Sequence, residues 1–133
     1  MSSLIVERAV TSPVERVWIA FTTDALATWF WPPLWDTSVQ LDVQVGGRYR
    51  VASAVSDMAV SGEYLAIDPG RALVQSWQWD GDDEVTTVTI ALRPTDAGTS
   101  LTITQEGFAR DDVRDNHIQG WNDCLARLPE VLA

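Results

Sequence analysis

Asp111-Asp112-Val113-Arg114-Asp115-Asn116-His117-Ile118-Gln119-Gly120-Trp121-Asn122-Asp123-Cys124-Leu125-Ala126-Arg127-Leu128, running on to Ala133, is the stretch that decides the fold. At about 100° per residue, Val113, His117, Trp121, Cys124, Leu128 and Val131 fall in one sector, which Ile118, Leu125 and Leu132 widen. Asp112, Asp115, Gln119, Asn122, Asp123 and Glu130 take the opposite side. The spacing predicts one long amphipathic helix over 111–133, whose apolar side must be buried. Upstream of it, after two short helical pieces, the chain alternates as antiparallel strands do. A sheet covered by one long helix is an α+β layer architecture, and core and ligand alike must lie where the layers meet.

Working back from the helix, Leu101, Ile103 and Gln105 align on one face of a strand that follows the turn Asp96-Ala97-Gly98. Val88, Ile90 and Leu92 mark the strand before it, and Leu73, Gln75, Trp77 and Trp79 share a face of the next one back. Met58 to Ile67 and Arg48 to Ala54 read as two more strands, the second entered through the turn Gly46-Gly47. Val39 to Val45 is a further strand, and Ile5 to Ala9 the first. Between the first strand and the rest, Ser12-Pro13-Val14-Glu15 is a helix start, with Ser12 as the expected N-cap and Glu15 completing a capping box. Val14, Val17, Trp18 and Phe21 follow at helical spacing. Thr23 can cap a second short helix from Asp24 to about Trp31, ended by Pro32 and Pro33. The predicted order is β-α-α-β-β-β-β-β-β-α, in one domain over 1–133.

A chain of 133 residues supports one hydrophobic core. Its net charge of −10 argues against nucleic acid and anionic membrane surfaces as partners. The single cysteine, Cys124, cannot form an intrachain disulfide, which fits a reducing compartment. The N-terminus lacks the basic start and apolar run of a signal peptide, and no apolar stretch is long enough to span a bilayer. Cytoplasmic is therefore the expected location. One histidine and one cysteine make no recognisable metal set. The ligand spacing of Asp80, Asp82, Asp83 and Glu84 does not match a calcium loop, so a solvated hairpin is expected there. Glycine-rich phosphate loops are absent. No cofactor is expected.

The order and local motifs resemble the START-related (SRPBCC) superfamily, and within it the family of homologues of the activator of the heat-shock-protein-90 ATPase. The resemblance rests on Ser12-Pro13-Val14-Glu15-Arg16-Val17-Trp18, Gly46-Gly47-Arg48-Tyr49-Arg50, and Gly62-Glu63-Tyr64 through Asp68-Pro69. Leu73 to Trp77, Gly107-Phe108 and His117-Ile118-Gln119-Gly120-Trp121 with Leu125 and Leu128 complete it. It implies the helix-grip fold, a curved antiparallel sheet wrapped around a long C-terminal helix with a cavity between them. About function it implies less, since such domains bind apolar small molecules, cyclise polyketides or act as co-chaperones.

His117 reads in two ways, as a core histidine bonded to a sheet side chain or as a polar anchor in a cavity. No nucleophile is paired with it, so no catalytic residue is assigned. Gln75 and Gln105 sit among inward-facing apolar neighbours and need hydrogen-bond partners. Together with Tyr49, Val51, Met58, Tyr64, Trp77, Trp121 and Trp31 these residues form the expected ligand-binding wall. In Trp29-Phe30-Trp31-Pro32-Pro33-Leu34-Trp35, Trp29 and Phe30 are expected in the core, and Trp31 and Trp35 at the cavity mouth or on a partner surface. Gly120 interrupts the helix, and close packing on the sheet is its expected reason, with space for a ligand the alternative. The expected function is binding of a small apolar or aromatic molecule between sheet and helix. A cyclase- or hydrolase-type enzyme and a chaperone-related interaction module stay open as alternatives, as does a homodimer.

Overall fold

The computed structural model describes residues 1–132. Strand β1 (Ser2–Val10) leads into helix α1 (Val14–Thr22), and two short 3-10 turns follow at Asp24–Thr28 and Pro33–Trp35. Six strands come next: β2 (Ser38–Leu41), β3 (Arg48–Ser53), β4 (Met58–Asp68), β5 (Ala72–Trp79), β6 (Thr86–Thr95) and β7 (Gly98–Phe108). Helix α2 (Asp111–Leu132) closes the described chain; the predicted last residue, Ala133, lies outside the described residues.

The strands form one antiparallel sheet in the order β1-β7-β6-β5-β4-β3-β2, in which only β1 is displaced from sequence order. This is the expected helix-grip architecture. Alternation sets the inward face: Leu73, Gln75 and Trp77 on β5, Val88, Ile90 and Leu92 on β6, and Leu101, Ile103 and Gln105 on β7 are buried. The pairs Gln75↔Val88 and Ile90↔Ile103 hold this face in register. A bulge between Tyr64 and Ala66 breaks the β4–β5 ladder, as bulges do where a sheet bends. Gly62 allows a close approach nearby, since a Cβ there would lie 2.0 Å from the Ser76 carbonyl oxygen. Its neighbour across the ladder, Tyr49, donates its hydroxyl to that same carbonyl at 2.5 Å.

Helix α2 buries Trp121, Cys124, Leu125, Leu128 and Leu132, the predicted stripe, while Val131 at its edge is exposed. The helix rests on β1 and β7 rather than on the middle of the sheet. That offset leaves the inward face of β5 partly uncovered, and the segment 29–35 comes across to meet it. Among the described residues, no helix is long and apolar enough to cross a membrane.

Three local expectations are corrected. Ser12 does not cap α1. The cap position falls to Pro13, whose carbonyl accepts from the Arg16 and Val17 amides, and no side chain caps it. The Ser12 hydroxyl instead donates to the Leu132 carbonyl at 3.2 Å, one of the carbonyls that a helix leaves unpaired at its C-terminal end. The second short helix does not reach Trp31. It is a 3-10 turn ending at Thr28, with its first turn capped by the Thr23 hydroxyl on the Ala25 amide at 3.2 Å. Successive residues of a helix point about 100° apart, so a helix lying with one face on the sheet would turn one of Trp29, Phe30 and Trp31 outward, whereas the irregular chain here buries all three. Finally, β2 stops at Leu41, because residues 42–47 turn back into β3 and Val45 is exposed.

Candidate functional site

Between α2, β5 and the segment 29–35 lies a cavity of about 630 Å³, within the size range of small-molecule sites. Phe30, Trp31, Pro32 and Trp35 form one wall, Trp77 and Trp79 another, and Asn116, His117, Gly120, Trp121, Asp123, Cys124, Ala126 and Arg127 the helix side, with Met58 at the edge.

The aromatic groups are held by one another. Trp31 stacks on Trp79 with centroids 6.1 Å apart and planes 15° off parallel, and tilts against Trp35 at 5.2 Å. Trp77 meets Trp79 edge-on at 5.7 Å and Trp121 at 5.4 Å. Phe30 packs on both Trp77 and Trp121, at 6.1 and 5.9 Å. Such offset and edge-to-face pairs are favoured by the ring quadrupoles, so the wall is stiff before any ligand arrives. Behind it, Trp29 anchors the segment through its Nε1–H to the Ala20 carbonyl at 3.0 Å.

Trp77 and Trp121 touch, forming a partition. On its far side is a pocket of only about 20 Å³, lined by Tyr49, Val51, Tyr64, Gln75, Ile90 and other core residues. The predicted wall is thus divided. Trp31, Met58, Trp77, His117 and Trp121 line the large cavity; Tyr49, Val51, Tyr64 and Gln75 line the small inner one, with Trp77 and Trp121 common to both. Gln105 lines neither. It is fully buried, its Oε1 accepting from the Trp121 Nε1–H at 2.8 Å and its Nε2 donating to the Thr86 hydroxyl at 2.8 Å. The amide therefore orients the Trp121 indole from behind.

His117 is half-buried, between Phe108 and Trp79. The indole Nε1–H of Trp79 donates to its Nε2 at 2.9 Å, and its Nδ1 lies 2.9 Å from the Val113 carbonyl. An indole only donates and a carbonyl only accepts, so in these two bonds Nε2 is the acceptor and Nδ1–H the donor. Both nitrogens are engaged. Burial pushes the Cys124 thiol up to about 12, although the nearby Arg127 charge acts to lower it, so the sulfur is a neutral thiol at physiological pH. Burial likewise raises the Tyr64 phenol to about 12 and the Tyr49 phenol further. Among the described residues no group of His, Cys, Asp and Glu could hold a metal ion.

Gly120 shows why the cavity is open on the helix side. It is exposed, and a Cβ built on it meets nothing within 4 Å. The expected close packing is absent; space is what the glycine leaves. Trp31, expected at the cavity mouth or on a partner surface, lines the cavity but is only 7% exposed because Trp79 covers it.

Sequence reasoning placed Trp79 on the inward face without assigning it to the site, and put Phe30 in the core and Trp35 at the cavity mouth or on a partner surface. It missed Asn116, Asp123, Ala126 and Arg127. Arg127 carried a faint signal: it comes one turn after Cys124, at the border of the apolar sector.

The structure resembles several solved ones over nearly all its length. Protein CV1439 from Chromobacterium violaceum is 29% identical with a TM-score of 0.84, covering 98% of this chain and 96% of its own. Protein MLL2253 from Mesorhizobium loti is 25% identical with a TM-score of 0.86, covering 98% and 96%. DynU16, from the dynemicin biosynthetic locus, shares the fold at 22% identity and a TM-score of 0.85; 99% of this chain matches 47% of that one. No functionally curated protein matches the chain. The model of the family described as activator of Hsp90 ATPase homolog 1-like protein matches residues 11–133, and with the helix-grip architecture this shows that the chain belongs to that family.

Proposed function

We propose that this protein binds a planar, largely apolar aromatic molecule in the cavity between α2 and the Trp77–Trp79 end of β5. The observation that carries the reading is the wall itself: five indoles, from Trp31, Trp35, Trp77, Trp79 and Trp121, surround a space of about 630 Å³. Aromatic rings that merely fill a core leave no such volume beside them. Flat faces at several orientations suit a flat ligand, which can stack on one indole and meet the edge of another.

Binding rather than turnover fits the state of the reactive groups. His117 has both nitrogens committed, and the Cys124 thiol keeps its proton. A general base needs a free lone pair within reach of substrate, and a cysteine nucleophile needs its thiolate.

The test is a fluorescence titration with N-phenyl-1-naphthylamine, a neutral aromatic probe. The reading predicts saturable binding of one probe per chain, weakened at least about tenfold by Trp31→Ala, which removes a stacking face. Failure of the folded protein to bind the probe saturably would refute it.

A further inference from the structure

Among the described residues, Arg127 is the one guanidinium that lines the cavity. It is half-buried, its Nε–H donating to the Trp29 carbonyl at 3.0 Å and its Nη2 to the Phe30 carbonyl at 2.7 Å. These bonds tether α2 to the aromatic segment, and they also fix the guanidinium plane. They occupy the edge formed by Nε and Nη2. The other fork, Nη1–H beside the second Nη2–H, donates to no oxygen among the described residues and is in ion-pair contact with no carboxylate there; the neutral Cys124 thiol is the one side-chain group within hydrogen-bonding reach of the guanidinium. A carboxylate can engage that fork through two parallel bonds.

The other polar groups of the lining point to the same kind of ligand. The Trp77 indole is 5% exposed, and its Nε1–H has no partner. A buried donor without an acceptor is costly, and a ligand acceptor would relieve it. The Trp121 and Trp79 donors are already taken by Gln105 and His117. The remaining acceptors, Asn116 and Asp123, also line the cavity but are exposed to solvent, and Asp123 takes a bond from Gln119 at 2.9 Å. The buried part of the site thus offers spare donors and one positive charge.

We propose that the ligand is a planar aromatic acid, its ring system between the indoles and its carboxylate on the free fork of Arg127. This rests on the aromatic-binding reading above. It runs against the chain's net charge of −10, but at 0.15 M salt charges beyond about 8 Å are largely screened, whereas a half-buried pair in contact is not.

The experiment compares 2-naphthoate with 2-naphthamide, alike in shape but differing in charge, by calorimetric titration of the wild-type protein at pH 7.5 and 0.15 M salt. The expected result is that naphthoate binds about tenfold or more tightly, as charge-assisted bonds require. In Arg127→Met, naphthoate affinity should fall to that of the amide while the amide is little changed. Equal affinities in the wild type, or a preference for the amide, overturn the inference and leave neutral aromatic binding standing. If neither compound binds, both readings fall. The wild-type comparison needs no variant, so it decides the question even if Arg127→Met, which loses its two carbonyl tethers, does not fold.

Discussion

At the scale of single residues, Trp121 and Gly120 divide the work of making a cavity. The Trp121 ring is buried and held from behind by Gln105. Trp121→Phe keeps most of the ring but strands the buried Gln105 oxygen, so urea unfolding should register a loss of about 1–3 kcal/mol. Gly120 behaves oppositely, since it stands in open space on a helix. Gly120→Ala should raise stability by up to about 1 kcal/mol, the helix-propensity difference. Gly120→Leu should leave the unfolding midpoint at or above wild type while lowering aromatic-probe affinity by about tenfold. A destabilised Gly120→Leu variant would mean that the glycine is there for packing.

At the scale of elements, period decided what could be read in advance. Strands β4 to β7 and the buried stripe of α2 were legible because burial on one face imposes alternation or helical spacing on the residues themselves. The segment 29–35 was not, because an irregular chain has no period; its tryptophans could be counted but not aimed. Ser12 was misassigned for a different reason. Its local motif is a sound N-cap, but the carbonyls at the far end of α2, distant in sequence, take its hydroxyl. Ser12→Ala should therefore cost about 0.5–1.5 kcal/mol through the docking of α2's last turn, and leave probe affinity unchanged. A probe affinity that falls with Ser12→Ala would show that the two ends of α2 are coupled.

At the scale of the whole molecule, the sheet and helix were legible before the structure, whereas a space between them was implied only by the family resemblance. Its location was not legible. The expected wall ran down the inward face of the sheet to Tyr49 and Gln75, whereas the contact of Trp77 with Trp121 seals off that half and moves the open volume toward Trp31, Trp79 and Arg127. No pattern along one element reports where two rings from different elements meet. The buried acids also shape the response of the fold to pH. Cys124 and Tyr64 have folded-state values raised to about 12 by burial, above their ordinary values of 9.0 and 10.0. The unfolded chain loses these protons first as pH rises, so the stabilisation is complete below about pH 9 and declines progressively toward pH 12. Unfolding midpoints measured from pH 8 to pH 11 should fall steadily, and Cys124→Ala should flatten part of that slope.

The central claim, that an indole-lined space receives an aromatic molecule, is tested most directly by the indole N–H resonances of the seven tryptophans. With 15N-labelled protein titrated with 2-naphthoate, the signals of Trp31, Trp77 and Trp79 should shift together along one saturable curve. That of Trp29, sealed in the core and bonded to Ala20, should stay in place. Signals that do not move at saturating probe, or shifts no larger at Trp31, Trp77 and Trp79 than at Trp29, would contradict the account.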